Sequence, residues 1–168
     1  WQEDEFEKQN RFLTDQFGGA APVTNKNHYL RWEGDTEFFE WCRKRHIALD
    51  QSKGPSKTGA AGFTFGSCHP HFPLDPAGRR IDVLELPTLT QDLVIFAPPA
   101  WVAPVLKAVR RHHGIFHLLF HPGHIAKPNV ADALKFSVKA AQKQGMECWM
   151  GRQINTWERA RRTVKWKV

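Results

Sequence analysis

Residues 99–122, PAWVAPVLKAVRRHHGIFHLLFHP, decide the fold class. Val102, Val105, Leu106 and Val109 recur at helical spacing, and Gly114 stands where a helix C-cap would put it. The aromatic and aliphatic run GIFHLLF follows at once and reads as a strand, ended by the turn that Pro122 and Gly123 force. A helix feeding directly into a strand is the second half of a βαβ unit, so the neighbouring segments are read for more of the same alternation.

They supply it. Upstream, Asp35 can cap a helix through TEFFEWCRKRH, with Phe38, Trp41, Cys42 and Arg45 on one stripe, and IALD then reads as a short strand. GFTFGS (62–67) reads as another strand, and CHPHFPLDPAGRR, with its three prolines, as irregular chain. DVLELP is a strand closed by proline. Downstream, Asn129 can cap a helix carrying Val130, Leu134, Val138 and Ala141 until Gly145 ends it. MECWM (146–150) reads as a strand, NTWERARRTVKW as a last basic helix, and Glu3–Phe17 as a first helix leading through Gly18 and Gly19 into a strand. The expectation is an α/β fold, a parallel sheet with covering helices, open or closed into a barrel.

Length and composition agree with one domain over residues 1–168: 19.3 kDa, 41% hydrophobic and 12% aromatic. No apolar run reaches the roughly 18 to 20 residues that span a bilayer, and WQEDEFEKQN lacks the basic stub and apolar stretch of a signal peptide. Cys42, Cys68 and Cys148 lie far apart and leave one unpaired in any bridging scheme, which leans towards a reducing compartment. The net charge of +7 gathers in KAVRRHH and ERARRTVKWKV. It permits an anionic partner, but the near-helical spacing of the tail fits a solvated helix face, and the strand aromatics of an RNA-binding surface are not interleaved with it. Nucleic acid is therefore not the expected partner.

In a parallel sheet the strand-to-helix loops meet at the C-terminal ends of the strands, which is where ligands collect. That rule selects Asp50 and Gln51, Cys68 and His69, Glu85, His121, and Met150–Arg152. His121, between a strand and Pro122, is a candidate general acid or base, or a strand end bonded to backbone. His117, within the strand, reads as a core or helix-facing residue. His121 and His124 have HxxH spacing off any predicted helix, and His69 and His71 in CHPHFP could add ligands for a zinc ion. Asp50 could orient a base or an arginine, or cap a turn, and Glu85 could do similar work. Cys68 and His69 do not make a nucleophilic pair, because neighbours on an extended chain point to opposite sides. Neither GxGxxG nor GxxxxGK[ST] occurs.

The order NKNHYLRW (25–32), HIALDQSKG (46–54), GFTFGSCHPHFPLD (62–75), LELPTLTQD (84–92), LLFHPGHI (118–125) and WERARR (157–162) resembles the later part of the polysaccharide deacetylase superfamily, the NodB homology domain. The resemblance spans roughly residues 23–165. It implies a partial, distorted (β/α) barrel and removal of N- or O-acetyl groups from a polysaccharide with a divalent metal, usually zinc. It implies His121 as general acid, Asp50 as the aspartate that holds an arginine or the histidine, and Lys26 in the place of that arginine. A lysine cannot make the same bidentate contact. His28, Tyr29, Trp32 and Trp149 then become substrate-binding candidates, with Trp101 a further ring that could stack on sugar. His69, His71 and His124 are the metal candidates.

Two departures accompany the resemblance. The family's Thr-Phe-Asp-Asp and paired-histidine motifs do not occur, and a complete barrel of this kind needs about 200 residues or more. With a chain that begins on Trp1, the expectation is a domain lacking its N-terminal strands, or a diverged one without the metal triad. The alternatives are a non-catalytic glycan-binding or assembly domain and a basic nucleic-acid-binding α/β domain.

Overall fold

The computed structural model describes residues 2–166; Trp1 and the end of the basic tail, Lys167 and Val168, lie outside the described residues. In chain order the elements are α1 (Glu3–Gln16), β1 (Thr24–Asn25), α2 (Glu37–Lys44), β2 (Leu49–Asp50), β3 (Leu84–Glu85) and β4 (Thr90–Gln91). There follow α3 (Val102–Arg111), β5 (Leu118–Leu119), α4 (Pro122–Ile125), α5 (Pro128–Lys143) and α6 (Gly151–Arg161). Single 3-10 turns cover His28–Leu30 and Pro99–Trp101. The fold mixes helices with small parallel sheets, as the alternation of periods predicts. No helix among the described residues is long and apolar enough to cross a membrane.

The chain divides into two units. The first comprises residues up to Ser52, His71–Glu85 and the chain from Trp149 on. Its sheet has the order β1-β2-β3, all parallel, with Asn25, Asp50 and Glu85 side by side in register at the strand ends. Phe6 of α1 and Phe38, Phe39 and Cys42 of α2 pack with Ile47, Ile81 and Val83 into one apolar cluster. Burying each of those large side chains is worth about 1.5–3 kcal/mol. The expected stripe of α2 holds, with Phe39 added. Its N-cap is Thr36 rather than Asp35, and the Glu37 carboxylate accepts from the Thr36 backbone N–H. Arg45, at the end of α2, reaches Glu3 (3.0 Å) and Glu7 (2.8 Å) and ties α1 to α2.

The second unit comprises Lys53–Pro70 and Leu86–Cys148. Its sheet is the parallel pair β4-β5, with α3 in the crossover that a parallel pair needs. Val102, Leu106 and Val109 of α3 are buried, as their spacing predicts. Trp101, Phe116 and Leu118 pack against both apolar clusters of this unit, one built on Leu93, Ala97, Val102 and Ala133, the other on Cys68, Leu89 and Val109.

Several expectations need correction. GFTFGS is a turn: Gly62 and Gly66 have φ of 103° and 76°, conformations a strand residue does not use, and Phe63 and Phe65 lie on the surface. MECWM is not a strand either, and the Met150 N–H is bonded to the Gln153 side chain as part of the α6 cap. A strand not expected, β4, lies in the buried run Leu89–Leu93. Helix α3 ends at Arg111, with His113 rather than Gly114 in the left-handed conformation. Gly114 is instead a close-approach position, because a Cβ there would collide with Cys68 Sγ. Helix α5 starts at Pro128, one residue before Asn129, as proline's preference for the first helical position dictates. It buries Val130, Ala133 and Ser137, while Val138 is exposed.

Candidate functional site: a buried carboxylate with two imidazoles

Strand β4 runs directly into Asp92, and β5 runs through Phe120 into His121. The ladder continues past the strands, with the Asp92 N–H donating to Leu119 O at 2.8 Å, so the two side chains emerge at neighbouring strand ends. Asp92 is fixed further by its carbonyl, which accepts from the N–H groups of Ile95 and Phe96 at 3.0 Å each. Val94 then turns the chain at φ 82°, a strained conformation for a β-branched residue. His121 is extended (φ −82°, ψ 134°) and is the N-cap of α4, whose first residue is Pro122. The His124 N–H donates to His121 O at 2.9 Å. HxxH therefore sits on one helical turn, where positions i and i+3 share a face, and not in the open loop expected.

The Asp92 side chain is 0% exposed and has three donors. Its Oδ1 accepts the His121 backbone N–H at 2.7 Å, and its Oδ2 accepts Nδ1–H of His121 at 2.5 Å and Nδ1–H of His124 at 2.8 Å. A carboxylate is acceptor-only, so both imidazoles carry their proton on Nδ1 and turn the Nε2 edge away from Asp92. The two rings, 5.2 Å apart and inclined at 62°, remain 30% and 34% exposed, so a ligand can reach them while the carboxylate that orients them stays dry. Such a pair can exchange protons with a ligand. It can equally hold an ion: Asp92, His121 and His124 are a possible metal-binding triad, each offering one ligand atom, all within 4.8 Å of one another. One carboxylate and two imidazoles suit a divalent transition ion and leave coordination positions for water and substrate.

His69 and His71 do not belong to this triad. His71 belongs to the first unit, where it exchanges backbone hydrogen bonds with Glu85, whereas His69 belongs to the second. Of the histidines weighed as ligands, His121 and His124 are in the triad, and Asp92 joins them. His117 donates from Nδ1 to Pro87 O at 3.1 Å, the structural role expected of it.

The first unit gathers the other expected catalytic residues. Asp50 is fully buried, and its carboxylate accepts from Asn25 Nδ2 (2.7 Å), the Ser52 N–H (2.8 Å) and Ser52 Oγ (2.9 Å). Burial pushes its pKa above the ordinary carboxylate range, against the pull of hydrogen bonds from Asn25, Glu85 and Ser52. Lys26, partly buried beside it, is lowered to about 8 by loss of solvent, while Asp50 and Glu85 act to raise it. Burial pushes the Cys42 thiol up, and the same two carboxyls add to the effect.

The aromatic candidates divide. Trp32 packs edge-on against Phe38 (5.0 Å) and Phe39 (4.6 Å), and Trp101 stacks with Phe116, so both lie partly buried against the apolar clusters. Tyr29 is 80% exposed in a left-handed turn, 4.2 Å from the His28 ring. Trp149 is exposed and meets Trp157 edge-on at 6.1 Å. In the basic tail Arg161 and Arg162 pair with the buried Glu158, and Arg159 pairs with Asp82, so these cations are matched within the fold.

Asp92 is the residue that reading the sequence missed. Its signal was present, a carboxylate directly after the buried run LTQ, but without β4 the strand-end rule that flagged Asp50 had nothing to act on.

No family model, no curated protein and no solved structure matches the chain.

Proposed function

We propose that the chain is a polysaccharide deacetylase-like hydrolase domain that removes acetyl groups from a glycan, with Asp92, His121 and His124 as its reactive centre. The observation that carries this reading is the buried Asp92 carboxylate receiving both imidazoles. The order of sequence segments described above supports it, and it takes the parallel pairing within each unit as that of a partial, distorted (β/α) barrel.

His121 donates Nδ1–H to Asp92, so its Nε2 can take a proton as general base and return it as general acid to a departing amine or alcohol. Asp92 fixes the tautomer and orientation of the ring. His124, sharing the same oxygen, holds the second imidazole against the first. A divalent ion, zinc by resemblance, would be held by Asp92, His121 and His124, and when bound it supplies carbonyl polarisation and acidifies water. An imidazole that binds the ion through the nitrogen facing Asp92 no longer donates there, so for that nitrogen of His121 holding the ion and bonding to Asp92 are exclusive roles.

The test is acetate release from N-acetylated chito-oligosaccharide and O-acetylated xylo-oligosaccharide with added zinc, beside zinc titration followed by calorimetry. His121→Ala should reduce release by roughly 10²- to 10⁴-fold. The exposed Trp149–Trp157 pair favours a second reading, a glycan-binding domain without hydrolysis. Oligosaccharide binding with no acetate released under any divalent metal would select it.

A further inference from the structure

The first unit carries a surface cavity of about 500 Å³ lined by Arg43, His46, Ile47, Ala48, Asp82 and Arg159. Ala48 and Asp82 stand just before β2 and β3, so the cavity lies where the chain enters the sheet and not at the strand ends Asp50 and Glu85. Arg159 of α6 fixes this entry. Its Nη2 donates to Ala48 O (3.2 Å) and Asp82 O (3.4 Å), its Nη1 to Asp82 Oδ1 (2.6 Å) and its Nε to Asn155 Oδ1 (2.9 Å). Asp82 Oδ2 receives no donor among the described residues, and the side chain is 56% exposed. Asp82 therefore offers an acceptor to hydroxyl groups.

The end of α2 supplies the opposite charge. Arg43 gives Nε to Glu40 at 2.7 Å and keeps both Nη groups without a partner among the described residues. An exposed pair of this kind is worth little and does not withhold the arginine from a ligand. His46 stands at φ 58° just past the helix, where the Ile47 N–H closes the last turn on Cys42 O at 3.0 Å. Glycine fits that place best, and the exposed histidine there adds a second donor to the cavity. The C-terminus of α2 opposes an anion with about half a charge, less than the full charge of Arg43.

We propose that this cavity binds an anionic sugar: Arg43 and His46 take its oxyanion, and Asp82, positioned by Arg159, takes its hydroxyl groups. The volume is that of a small-molecule pocket rather than of a single ion. An oxyanion alone would leave Asp82 facing a like charge, and a neutral sugar would leave the Arg43 guanidinium unused, so the lining selects the combination. A sugar phosphate and a uronate share this chemistry. The inference does not depend on hydrolysis in the second unit.

The experiment is calorimetric titration of the full chain with glucose 6-phosphate and with glucuronate, beside inorganic phosphate, acetate and glucose. One of the two anionic sugars should bind at least about tenfold tighter than any of the three fragments, and which one does so names the oxyanion. Arg43→Gln should weaken that binding by roughly 10- to 100-fold. His46→Gly should weaken it as well, and since glycine suits the left-handed backbone, that loss does not come from unfolding. Binding of neither sugar, binding no tighter than that of phosphate or acetate, or an affinity unchanged in both variants overturns the proposal.

Discussion

Asp92 and Asp50 occupy equivalent places in the two units: each directly follows or ends a parallel strand, and each is fully buried. Their partners differ. Asp92 receives two imidazoles that are themselves about one-third exposed, so its charge is relayed to groups a ligand can touch. Asp50 receives an asparagine and a serine that belong to the same strand ends, so its bonds stay within the fold. A strand-end carboxylate is thus not a site in itself. The exposure and proton affinity of its partners decide whether it drives chemistry or holds a frame.

The largest effect expected separates these roles by activity. Asp92→Ala should lower acetate release and weaken zinc binding, the latter by roughly 10- to 100-fold if Asp92 only orients the histidines and by more if it is a ligand. The protein should stay folded, since the imidazoles left behind can turn to water. Calorimetry with zinc checks this, and unchanged affinity would break the comparison on the Asp92 side.

Asp50→Ala should act on stability instead. It strands the donors of Asn25 and Ser52 that Asp50 accepts, a loss of about 1–3 kcal/mol for each one left buried and unpaired. Urea unfolding measures it. A cost no larger than that of Asp92→Ala would remove the distinction drawn between the two carboxylates.

Gly114→Ala gives a control within the second unit. The new methyl presses on Cys68 Sγ and the Cys68 backbone beneath the start of β5, for a cost of about 1–3 kcal/mol, with zinc affinity unchanged. Loss of zinc binding in this variant would show that the triad depends on the Cys68–Gly114 packing and not on Asp92 alone.

The smallest effect is in pH dependence. Lys26 titrates near 8 in the folded chain and near the usual lysine value of about 10.4 when unfolded. Between those values the unfolded state holds the extra proton, so the contribution of Lys26 to stability rises with pH across that window and is flat below it. Asp50, raised by burial, works in the opposite sense at acid pH: above the unfolded carboxylate value the folded state keeps the proton, so stability falls with rising pH until the folded value is passed. Unfolding free energies from pH 7 to 10.5 should show the first slope, and Lys26→Met should flatten it.

Most helices were legible because each carries its own period. Phe38, Cys42, Val102, Leu106 and Val109 repeat at intervals of three and four, and a helix buries such a stripe whatever it meets. The strand ends at Asp50, Glu85 and His121 were legible from apolar runs closed by proline or polar residues. GFTFGS and MECWM carry the same composition without the structure, since a strand needs a partner that local sequence does not name. In the first, two left-handed glycines bend the chain; in the second, a helix cap takes the N–H that a ladder would use.

The chain by itself thus determined the α/β alternation, the strand-end position of His121 and its HxxH spacing from His124. Tertiary structure alone decided that Asp92, 29 residues before His121, is their common acceptor, and that Glu85 stands in register beside Asp50. The physical reason is range: a helix or turn is specified by neighbours within four residues, whereas a carboxylate's partners are set by which strands pair, and strands of two residues leave almost no local trace of that pairing.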